Sequence, residues 1–410
     1  MFEVDHAVAA EASRQAALDA IDAAADDLIA LSRFIHANPE VAMQEVRASA
    51  ACADVLAARG FVVQRGVADL PTAFRADAGA GSPRIAYLAE YDALPGVGHG
   101  CGHNLIAIAA LAAGLGLRAA LERSGVPGSV SVFGTPAEEA VGGKAIMAEH
   151  GAFAGVDVAL GAHPGTVEAV CPTVEGSGRA LACQGVRIEF RGRAAHAASD
   201  PYNGVNALNA LIETFNGINA LRHHLRSDAR IHGIITDGGT APNVVPDFAA
   251  GDFLVRAATM AHLRELVAKV RRIAAGAATI TGAELRFLLP EPATSDMITN
   301  FTLARRLKRH LDAVGLRLPE ARPEEGSGST DWGNVSYLVP SVETGYPILD
   351  RVCTWHSPEV VAAAGSDLAH ANTLAVAKAM ALAGLDVVTD PGLLAEIKGE
   401  FRRAKAARDA

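Results

Sequence analysis

Short apolar runs alternate with stretches of helical period over the first half of the chain. Apolar residues recur at every third or fourth position from about Glu11 to Ala37 and again from about Glu45 to Arg59, which predicts two amphipathic helices. Strand-like runs and helical stretches then follow in turn. The predicted strands are residues 61–65, 72–76, 84–88, 129–133 and 157–160. Strands that alternate with helices at this spacing predict a doubly wound, mainly parallel α/β sheet.

The pattern changes near Leu181, where a half-exposed strand begins. From there to Pro292 the predicted order is strand, helix, strand, strand, helix and strand, which is typical of a ferredoxin-like α+β unit. These elements are residues 182–191, 205–222, 230–237, 252–257, 261–278 and 284–288. Helices return at about 296–314, 367–385 and 391–407. We therefore predict a discontinuous first domain, residues 1–180 and 293–410, into which residues 181–292 are inserted as a second domain.

Composition narrows the classes of partner. The 410-residue chain has a net charge of −10 at pH 7, which argues against nucleic acid or an anionic membrane. The longest uncharged apolar run, Leu105 to Leu117, is shorter than the about 20 residues that a membrane span requires. The first residues lack the basic-then-apolar pattern of a secretory signal. Five scattered cysteines form no disulfide framework and fit a reducing compartment, so we expect a soluble, cytoplasmic protein.

Residues His99 to Asn104 concentrate metal-competent side chains in one turn. Cys101 and His103 are separated by a single glycine, which lets the backbone turn tightly and approach an ion. Thiolate and imidazole are ligands that zinc prefers. The stretch lies between a predicted strand and a predicted helix, where α/β sheets place their sites. Taken alone, however, a buried cysteine beside two surface histidines would give the same pattern.

Three further loops at predicted strand ends carry residues of the same kind. They contain the adjacent pair Glu138-Glu139, His163 and His356. Because strand ends converge in a doubly wound sheet, we expect these residues to approach Cys101. Adjacent glutamates repel each other, so the pair makes chemical sense if one binds a cation and the other handles a proton. A solvated pair before a helix, and histidines that only hydrogen-bond within their loops, stay open as alternatives.

Across nearly the whole chain, in order, these residues lie in motifs that resemble the aminoacylase and carboxypeptidase family of dinuclear zinc metallopeptidases, in its amidohydrolase branch. The matching stretches are residues 34–40, 89–95, 99–104, 134–139, 162–164, 195–197, 239–246 and 328–331, followed by His356. That branch also holds hydrolases of indole-acetyl amino acids and of aminobenzoyl-glutamate, and dipeptidases. Asn104 and Ile106 stand where many amidohydrolase members have aspartate and histidine. With the sequence of residues 89–92, they make the chain most similar to the dipeptidase-type members.

The resemblance implies a set of metal ligands. Cys101 is similar to a bridging ligand that is shared by two divalent ions. Glu139 and His356 would complete the site of one ion, and His103 and His163 would complete the other. Zinc is the expected metal, with manganese and cobalt as alternatives, because both the affinity order and the cellular supply decide between them.

The resemblance also implies roles for residues that do not bind metal. Glu138 is similar to the general base that takes a proton from water and passes it to the leaving amine. Asp92 is similar to a carboxylate that orients a metal ligand. His196 lies in the inserted domain, whose counterpart in the family forms a dimer and sends a histidine into the partner's active site to bind the developing oxyanion. We therefore expect a homodimer that is formed through this lid domain.

Three more residues are expected to contact substrate. Asn243 and Arg256 match lid positions that hold a substrate carboxylate in related carboxypeptidases, and Asp331 is expected to face the substrate. Plainer roles stay open for four of the residues outside the metal site. Asp92 and Asp331 could cap turns, Arg256 could be a structural strand residue, and His196 could be a surface histidine.

The expected activity is that of a metal-dependent amidohydrolase or peptidase. It would cleave the amide bond of a dipeptide or an N-acyl amino acid through a metal-activated water. One alternative is hydrolysis or deamination of a non-peptide aromatic amide or amine at the same site. Another is a catalytically silent binding protein of the same fold, against which the complete set of ligand positions and Glu138 argue. Each of these functions implies a small-molecule ligand, and neither nucleic acid nor a membrane as a partner.

Overall fold

The computed structural model describes residues 2–323 and 328–409. Its strands are β1 (Val62–Arg65), β2 (Phe74–Ala80), β3 (Arg84–Ala89), β4 (Gly128–Gly134), β5 (Val158–Gly165), β6 (Ala182–Arg191), β7 (Arg230–Asp237), β8 (Phe248–Ala257), β9 (Glu284–Leu288) and β10 (Ser341–Pro347). Its helices are α1 (Phe2–Ala23), α2 (Ala25–Ala37), α3 (Val46–Ala58), α4 (His103–Ser124), α5 (Gly143–Glu149), α6 (Ala207–Arg222), α7 (Met260–Thr281), α8 (Phe301–Ala313), α9 (Trp332–Ser336), α10 (Pro358–Ala364), α11 (Asp367–Thr389) and α12 (Pro391–Asp409).

The larger sheet has six strands in the order β1-β2-β4-β3-β5-β10. Strands β4, β3, β5 and β10 are parallel, whereas β1 and β2 form an antiparallel edge. Side chains of β3 alternate between two cores. Ile85 and Tyr87 belong to the core that contains residues of α1, α4 and α11, while Ala86 and Leu88 belong to the core with residues of α5 and α9. Because helices cover both faces, the prediction of a doubly wound, mainly parallel sheet is confirmed.

The second sheet has four strands in the order β7-β8-β6-β9, and every neighbouring pair is antiparallel. Helices α6 and α7 contribute Leu211 and Leu266 to a separate core that also contains Val255 of β8. On the opposite face, Ile234 and Leu254 are exposed. The chain order and the strand order together confirm the predicted ferredoxin-like unit. Its limits at residues 181 and 292 stay a prediction.

The observed elements differ from the predicted ones at several places, and β5 extends through His163, which was predicted to lie in the loop after the strand. The helix predicted from about Glu11 to Ala37 is divided by a turn at Ala24, within an alanine-rich sequence that contains no helix breaker. Strand β10 and the short helices α9 and α10 were not predicted. In β10, Glu343 and Gly345 interrupt the apolar run, and both residue types are depleted in strands.

Helices α4 and α11 are long and apolar enough to cross a membrane by length and composition alone. In the structure, 89% and 72% of their most apolar windows are buried. Both helices contribute to the core against the larger sheet. Core helices of soluble proteins pass the same test, so this criterion is weak evidence of a span.

Candidate metal centre

The candidate metal ligands lie at the carboxyl ends of the parallel strands. Cys101 and His103 follow β3, Glu139 follows β4, His163 lies near the end of β5, and His356 follows β10. In an open α/β sheet this edge forms the crevice that binds ligands. The topology therefore brings together residues that are far apart in the sequence.

Gly102 allows Cys101 and His103 to project from one turn. Its φ is +78°, and it directly precedes the first residue of α4. A Cβ atom at this position would lie 2.9 Å from Pro164 Cγ, and other residues rarely adopt this left-handed backbone. Both the conformation and the space therefore require glycine between the two candidate ligands.

Three groups of side chains in the described chain have ligand atoms within 4.8 Å of one another. The groups are Cys101, His103 and His163; Cys101, Glu139 and His356; and His103, Glu138 and Glu139. Cys101 joins the first two groups through one sulfur atom. His103 Nε2 and Glu139 Oε1 are buried, and neither has a hydrogen-bond partner among the described residues. A thiolate, imidazoles and a carboxylate with unused ligand atoms fit divalent metal ions such as zinc.

The surroundings of Cys101 favour its thiolate. Its Sγ atom lies 3.4 Å from His163 Nε2, and the indole N–H of Trp355 donates to it at 3.3 Å. Burial alone would raise the pKa of this thiol, but His163 and His103 lower that pKa well below its usual range. The thiolate is the form that binds metal, so Cys101 is prepared for coordination at neutral pH.

Asp92 contacts two candidate ligands at once. Its Oδ1 lies 2.9 Å from His103 Nδ1, and its Oδ2 accepts a hydrogen bond from the Glu139 backbone N–H at 3.0 Å. Carboxylates orient metal-binding histidines in this way and leave Nε2 for the ion. Burial would raise the pKa of Asp92, but His103 and the Glu139 N–H lower it below its usual value, so the carboxylate stays ionised.

A strained turn holds Glu138. Ala137, directly before it, has a φ of +61°, which is uncommon for a residue with a side chain. The Ala137 N–H donates to Glu45 Oε1 at 2.8 Å, and the Thr72 hydroxyl donates to Glu45 Oε2 at 3.1 Å. Burial raises the pKa of Glu45 to about 7. Glu45 therefore fixes the backbone from which Glu138 projects.

A buried lysine lies near Glu138. Lys144 Nζ is 2.8 Å from Glu90 Oε1 and 2.5 Å from Asp331 Oδ1. Asp331 Oδ2 also accepts the Lys144 backbone N–H at 2.8 Å, so both of its oxygens contact Lys144. Burial raises the pKa of Glu138 well above its usual range, Glu90 and Asp331 raise it further, and Lys144 opposes this rise. The structure thus places Asp331 in a buried ion pair, and its predicted contact with substrate stays a prediction.

His196 and Asn243 lie together on the inserted domain and outside the candidate ligand groups. The Ala197 N–H donates to the Asn243 carbonyl at 3.0 Å, which joins their two loops. His196 Nδ1 accepts the backbone N–H groups of Ala198 and Ser199 at 3.2 and 3.3 Å. A neutral imidazole that accepts at Nδ1 carries its proton on Nε2. The exposed His196 ring therefore presents an Nε2–H donor.

Two cavities that share Arg179 and Ala180 adjoin the site. The smaller has a volume of about 260 Å³, and its lining includes Glu138, His163, Arg179, Thr299, Ser329 and Glu343. The larger has a volume of about 810 Å³, and its lining includes Arg179, Arg230, His232 and Arg256. Arg256 Nη1 donates to Ser329 Oγ at 3.2 Å, so the inserted domain contacts the larger domain at the boundary between the cavities.

His99 and Asn104 have structural roles at the two ends of the ligand loop. Burial lowers the pKa of His99 to about 3, and its Nε2 lies 3.1 Å from the Ile35 carbonyl oxygen. Asn104 Nδ2 donates to Ser32 Oγ and to the Ala364 carbonyl, each at 2.9 Å. These contacts anchor the loop to α2 and α10.

Sequence reasoning missed Glu45, Glu90, Lys144 and Glu343. Glu90 lies inside a stretch that matches the family, and Lys144 follows the glycine pair that opens α5, so position alone could have marked both. No local pattern marks Glu45. Glu343 was missed together with its strand, and burial raises the pKa of this carboxyl, although His163 opposes the rise.

Comparisons with known proteins add independent findings. Residues 183–279 match a family model described as a peptidase dimerisation domain. The chain is 38% identical to the Xaa-Arg dipeptidase of Mus musculus, over 96% of this chain and 93% of that protein. It is 31% identical to one of the subunits of the p-aminobenzoyl-glutamate hydrolase of Escherichia coli, over 94% of each chain. A dinuclear metal-binding peptidase of the M20 family from Bacillus subtilis has a TM-score of 0.60 at 22% identity, with 87% of this chain and 98% of that chain covered.

Proposed function

The chain belongs to the M20 peptidase family and is a metal-dependent amide hydrolase, and we propose that it is a homodimeric dipeptidase with two divalent ions in each subunit. Zinc is the favoured metal because of the thiolate and imidazole donors, with manganese and cobalt as alternatives. The five cysteines are free, which supports a reducing compartment and hence the cytoplasm.

The position of Cys101 carries the proposal. Its sulfur belongs both to the group with His103 and His163 and to the group with Glu139 and His356. Two sites that share one thiolate would hold their ions close together. Bound divalent ions would lower the pKa of a water molecule and polarise an amide carbonyl.

Glu138 supplies the proton transfer. It lines the smaller cavity, and its carboxylate lies within 4.8 Å of ligand atoms of His103 and Glu139. The carboxylate accepts a proton from the attacking water and returns it to the leaving nitrogen. Asp92 keeps His103 and the Glu139 backbone in place during this exchange.

Arginines of the inserted domain support a substrate with a carboxylate. The register of β7 and β8 places Arg230 directly opposite Arg256. Like charges at opposite positions of a ladder destabilise it, so an anion between them would be stabilising. Arginine forms two parallel charge-assisted bonds to a carboxylate, and Asn243 of the same domain offers an amide donor. Relatives named Xaa-Arg dipeptidase, from Mus musculus and Homo sapiens, support a dipeptide as this substrate.

The free edge of the inserted sheet supports the dimer. Strand β7 is the outer strand of the sheet, and Ile234 and Leu254 expose apolar surface beside it. An unpaired edge strand is a template for pairing with another chain. In such a dimer His196 would donate its Nε2–H to the carbonyl oxygen in the partner's site.

A second candidate is the hydrolysis of an aromatic acyl-glutamate. The identity of 31% to a subunit of the p-aminobenzoyl-glutamate hydrolase of Escherichia coli favours it. A dipeptide and this aromatic amide differ in their acyl part. Assays with both substrates therefore distinguish the two candidate functions.

The test is a comparison of kcat/KM for dipeptides, N-acyl amino acids and p-aminobenzoyl-glutamate with protein reconstituted with zinc, manganese or cobalt. We expect dipeptides to give the highest values, and we expect a chelator to abolish the activity and added metal to restore it. If protein with two ions per chain cleaves none of these amides, the proposal is wrong. If p-aminobenzoyl-glutamate is preferred, the second candidate replaces the first.

A further inference from the structure

Glu343 is a partly buried glutamate beside the candidate active site. It lies on β10, and the register of β10 and β5 places Gly345, two residues further on, opposite His163. Its Oε1 atom is buried and has no hydrogen-bond partner within residues 2–323 and 328–409. Glu343, Glu138 and His163 line the same cavity of about 260 Å³.

The buried Oε1 atom of an ionised Glu343 would be stabilised by a partner. Burial of a charge is costly unless the charge is paired and hydrogen-bonded, and native structures rarely leave a buried polar atom without a partner. Lys144 does not supply one, because its ammonium group contacts Glu90 and Asp331 and makes no hydrogen bond to Glu343 Oε1. A cation that enters the cavity would provide the missing donor.

Metal binding does not explain Glu343. Among the described residues, Glu343 belongs to none of the three groups with converging ligand atoms. The Nε2 atom of His163, its neighbour in the cavity, lies beside Cys101 instead, at 3.4 Å from the sulfur. Its place on the wall of a cavity that Glu138 also lines would let Glu343 contact a substrate.

We propose that Glu343 is a specificity-determining residue that binds a cationic group of the substrate, either its α-ammonium group or a basic side chain. This inference rests on the proposed amide hydrolysis and names its substrate class as amides that carry a positive charge. Arg230 and Arg256 line the adjoining cavity, and Arg179 lines both cavities. A dipeptide with a cationic group at one end and a carboxylate at the other would match both charges.

The test uses pairs of substrates that differ in one charge. Ala-Arg is compared with Ala-citrulline, Arg-Ala with citrulline-Ala, and Ala-Leu with lactoyl-Leu, in which a hydroxyl replaces the α-ammonium group. In at least one pair we expect the charged member to have a kcat/KM about 10- to 100-fold higher, the range that a hydrogen bond to a charged group supports. The pair that responds identifies the source of the cation.

Glu343→Gln keeps the size of the side chain and removes its charge. We expect this variant to bring the ratio for the responsive pair close to one, while kcat/KM for the neutral member and the metal content stay unchanged. Glu168→Gln is the matched control, because it removes one exposed negative charge close in sequence to His163. The control should retain the preference.

A binding measurement separates this inference from the proposed function. The affinities of metal-loaded protein for arginine, citrulline, alanine and lactate are measured by calorimetry, with and without Glu343→Gln. Tighter binding of a cationic member that is lost in the variant supports the role of Glu343 even if no amide is cleaved. The inference is overturned if no pair shows a charge preference in hydrolysis or binding, if the preference survives in Glu343→Gln, or if that variant loses metal. A hydrolase without charge preference would leave the proposed function standing.

Discussion

At the scale of single residues, the carboxyl groups of Asp92 and Glu138 have pKa values that are shifted in opposite directions. The pKa of Asp92 is held low, because His103 and the Glu139 N–H stabilise its charge. The pKa of Glu138 is held high by burial and by the nearby carboxylates of Glu90 and Asp331. Separated pKa values are typical of neighbouring groups with different roles. Asp92 is therefore suited to orienting His103 as a permanent carboxylate, and Glu138 is suited to accepting and releasing a proton.

Glu138→Gln tests the proton transfer. The amide keeps the size of the side chain but cannot accept the proton of the attacking water. We expect kcat to fall by about 10²–10⁴-fold or more, because general-base catalysis contributes that range and the same group serves the leaving amine. Steady-state kinetics with a dipeptide measure the loss, and mass spectrometry of the metals should show unchanged content. Near-normal turnover would mean that another group is the base.

Cys101→Ala tests the shared sulfur. Because Cys101 belongs to two ligand groups, its removal should release both ions, whereas His356→Ala should weaken mainly the ion of the second group. Wild-type protein should hold about two ions per chain, since five ligands are too many for one tetrahedral site with an open position. Metal analysis after dialysis measures the stoichiometry. Loss of a single ion from Cys101→Ala would contradict the bridging role.

At the scale of secondary structure, what could be predicted depends on how local the signal is. The Cys101 loop and Glu139 could be predicted because their motifs are short and their strands are strongly patterned. Glu45 could not, because its hydrogen bond to Ala137 joins positions that are 92 residues apart and serves only to fix the backbone. Lys144 meets Asp331 across 187 positions. Such partners are determined by the packing of elements that are distant in the chain, so no periodic pattern in the sequence predicts them.

Strand β10 shows the same limit in another form. Apolar and polar residues alternate along β10, and Glu343 is one of its polar residues. A strand pattern predicts that such a residue faces solvent. The side chain instead faces a cavity that exists only after β5 and β10 pair. Glu343 weakens the strand pattern in the sequence. In the structure the same residue is a candidate binding residue.

The packing of α1, α8 and α11 offers a test of stability at this scale. Asp386 of α11 is buried and contacts His310 at 2.7 Å, Arg306 at 3.3 Å, and Arg14. Burial would raise the pKa of Asp386, but His310, Arg14 and Arg306 lower it below the usual value of 3.8. A lowered folded-state pKa stabilises the fold above the unfolded-state value, and this contribution is lost as the pH falls towards the folded-state value.

Asp386→Asn should therefore lower the free energy of unfolding at pH 7 by about 1–3 kcal/mol, because it leaves His310 and two partly buried arginines without a charged acceptor. The difference from wild type should stay constant between pH 7 and about pH 5 and shrink below about pH 4. Urea unfolding at several pH values measures it. Asp312→Asn, which removes an exposed pair with Lys308, is the matched control and should cost less than about 1 kcal/mol. An equal effect of both changes would contradict the role of burial.

At the scale of the whole molecule, the candidate metal ligands and the candidate substrate-binding residues lie largely in different domains. The larger domain holds every residue of the three ligand groups, whereas His196, Asn243 and Arg256 belong to the inserted domain. The hydrogen bond from Arg256 to Ser329 shows that the domains meet at the cavities. The His196 side chain, by contrast, is exposed and accepts the backbone N–H groups of Ala198 and Ser199. We expect it to act on the reaction either through closure of the inserted domain or from a partner subunit.

Complementation between two variants decides between these routes. Glu138→Gln and His196→Ala should each be nearly inactive when assayed alone, since a lost general base costs about 10²–10⁴-fold and a lost oxyanion donor about 10²–10³-fold in kcat. If His196 acts in the partner's site, a heterodimer has one site with both residues intact and one site with neither. Random mixing of equal amounts places about half of the chains in heterodimers, so about a quarter of all sites should recover wild-type turnover. Native mass spectrometry of the co-expressed mixture quantifies the heterodimer, and its activity is compared with that of the separate homodimers. If the expected share of heterodimer forms without recovered turnover, His196 works within its own chain or takes no part in the reaction.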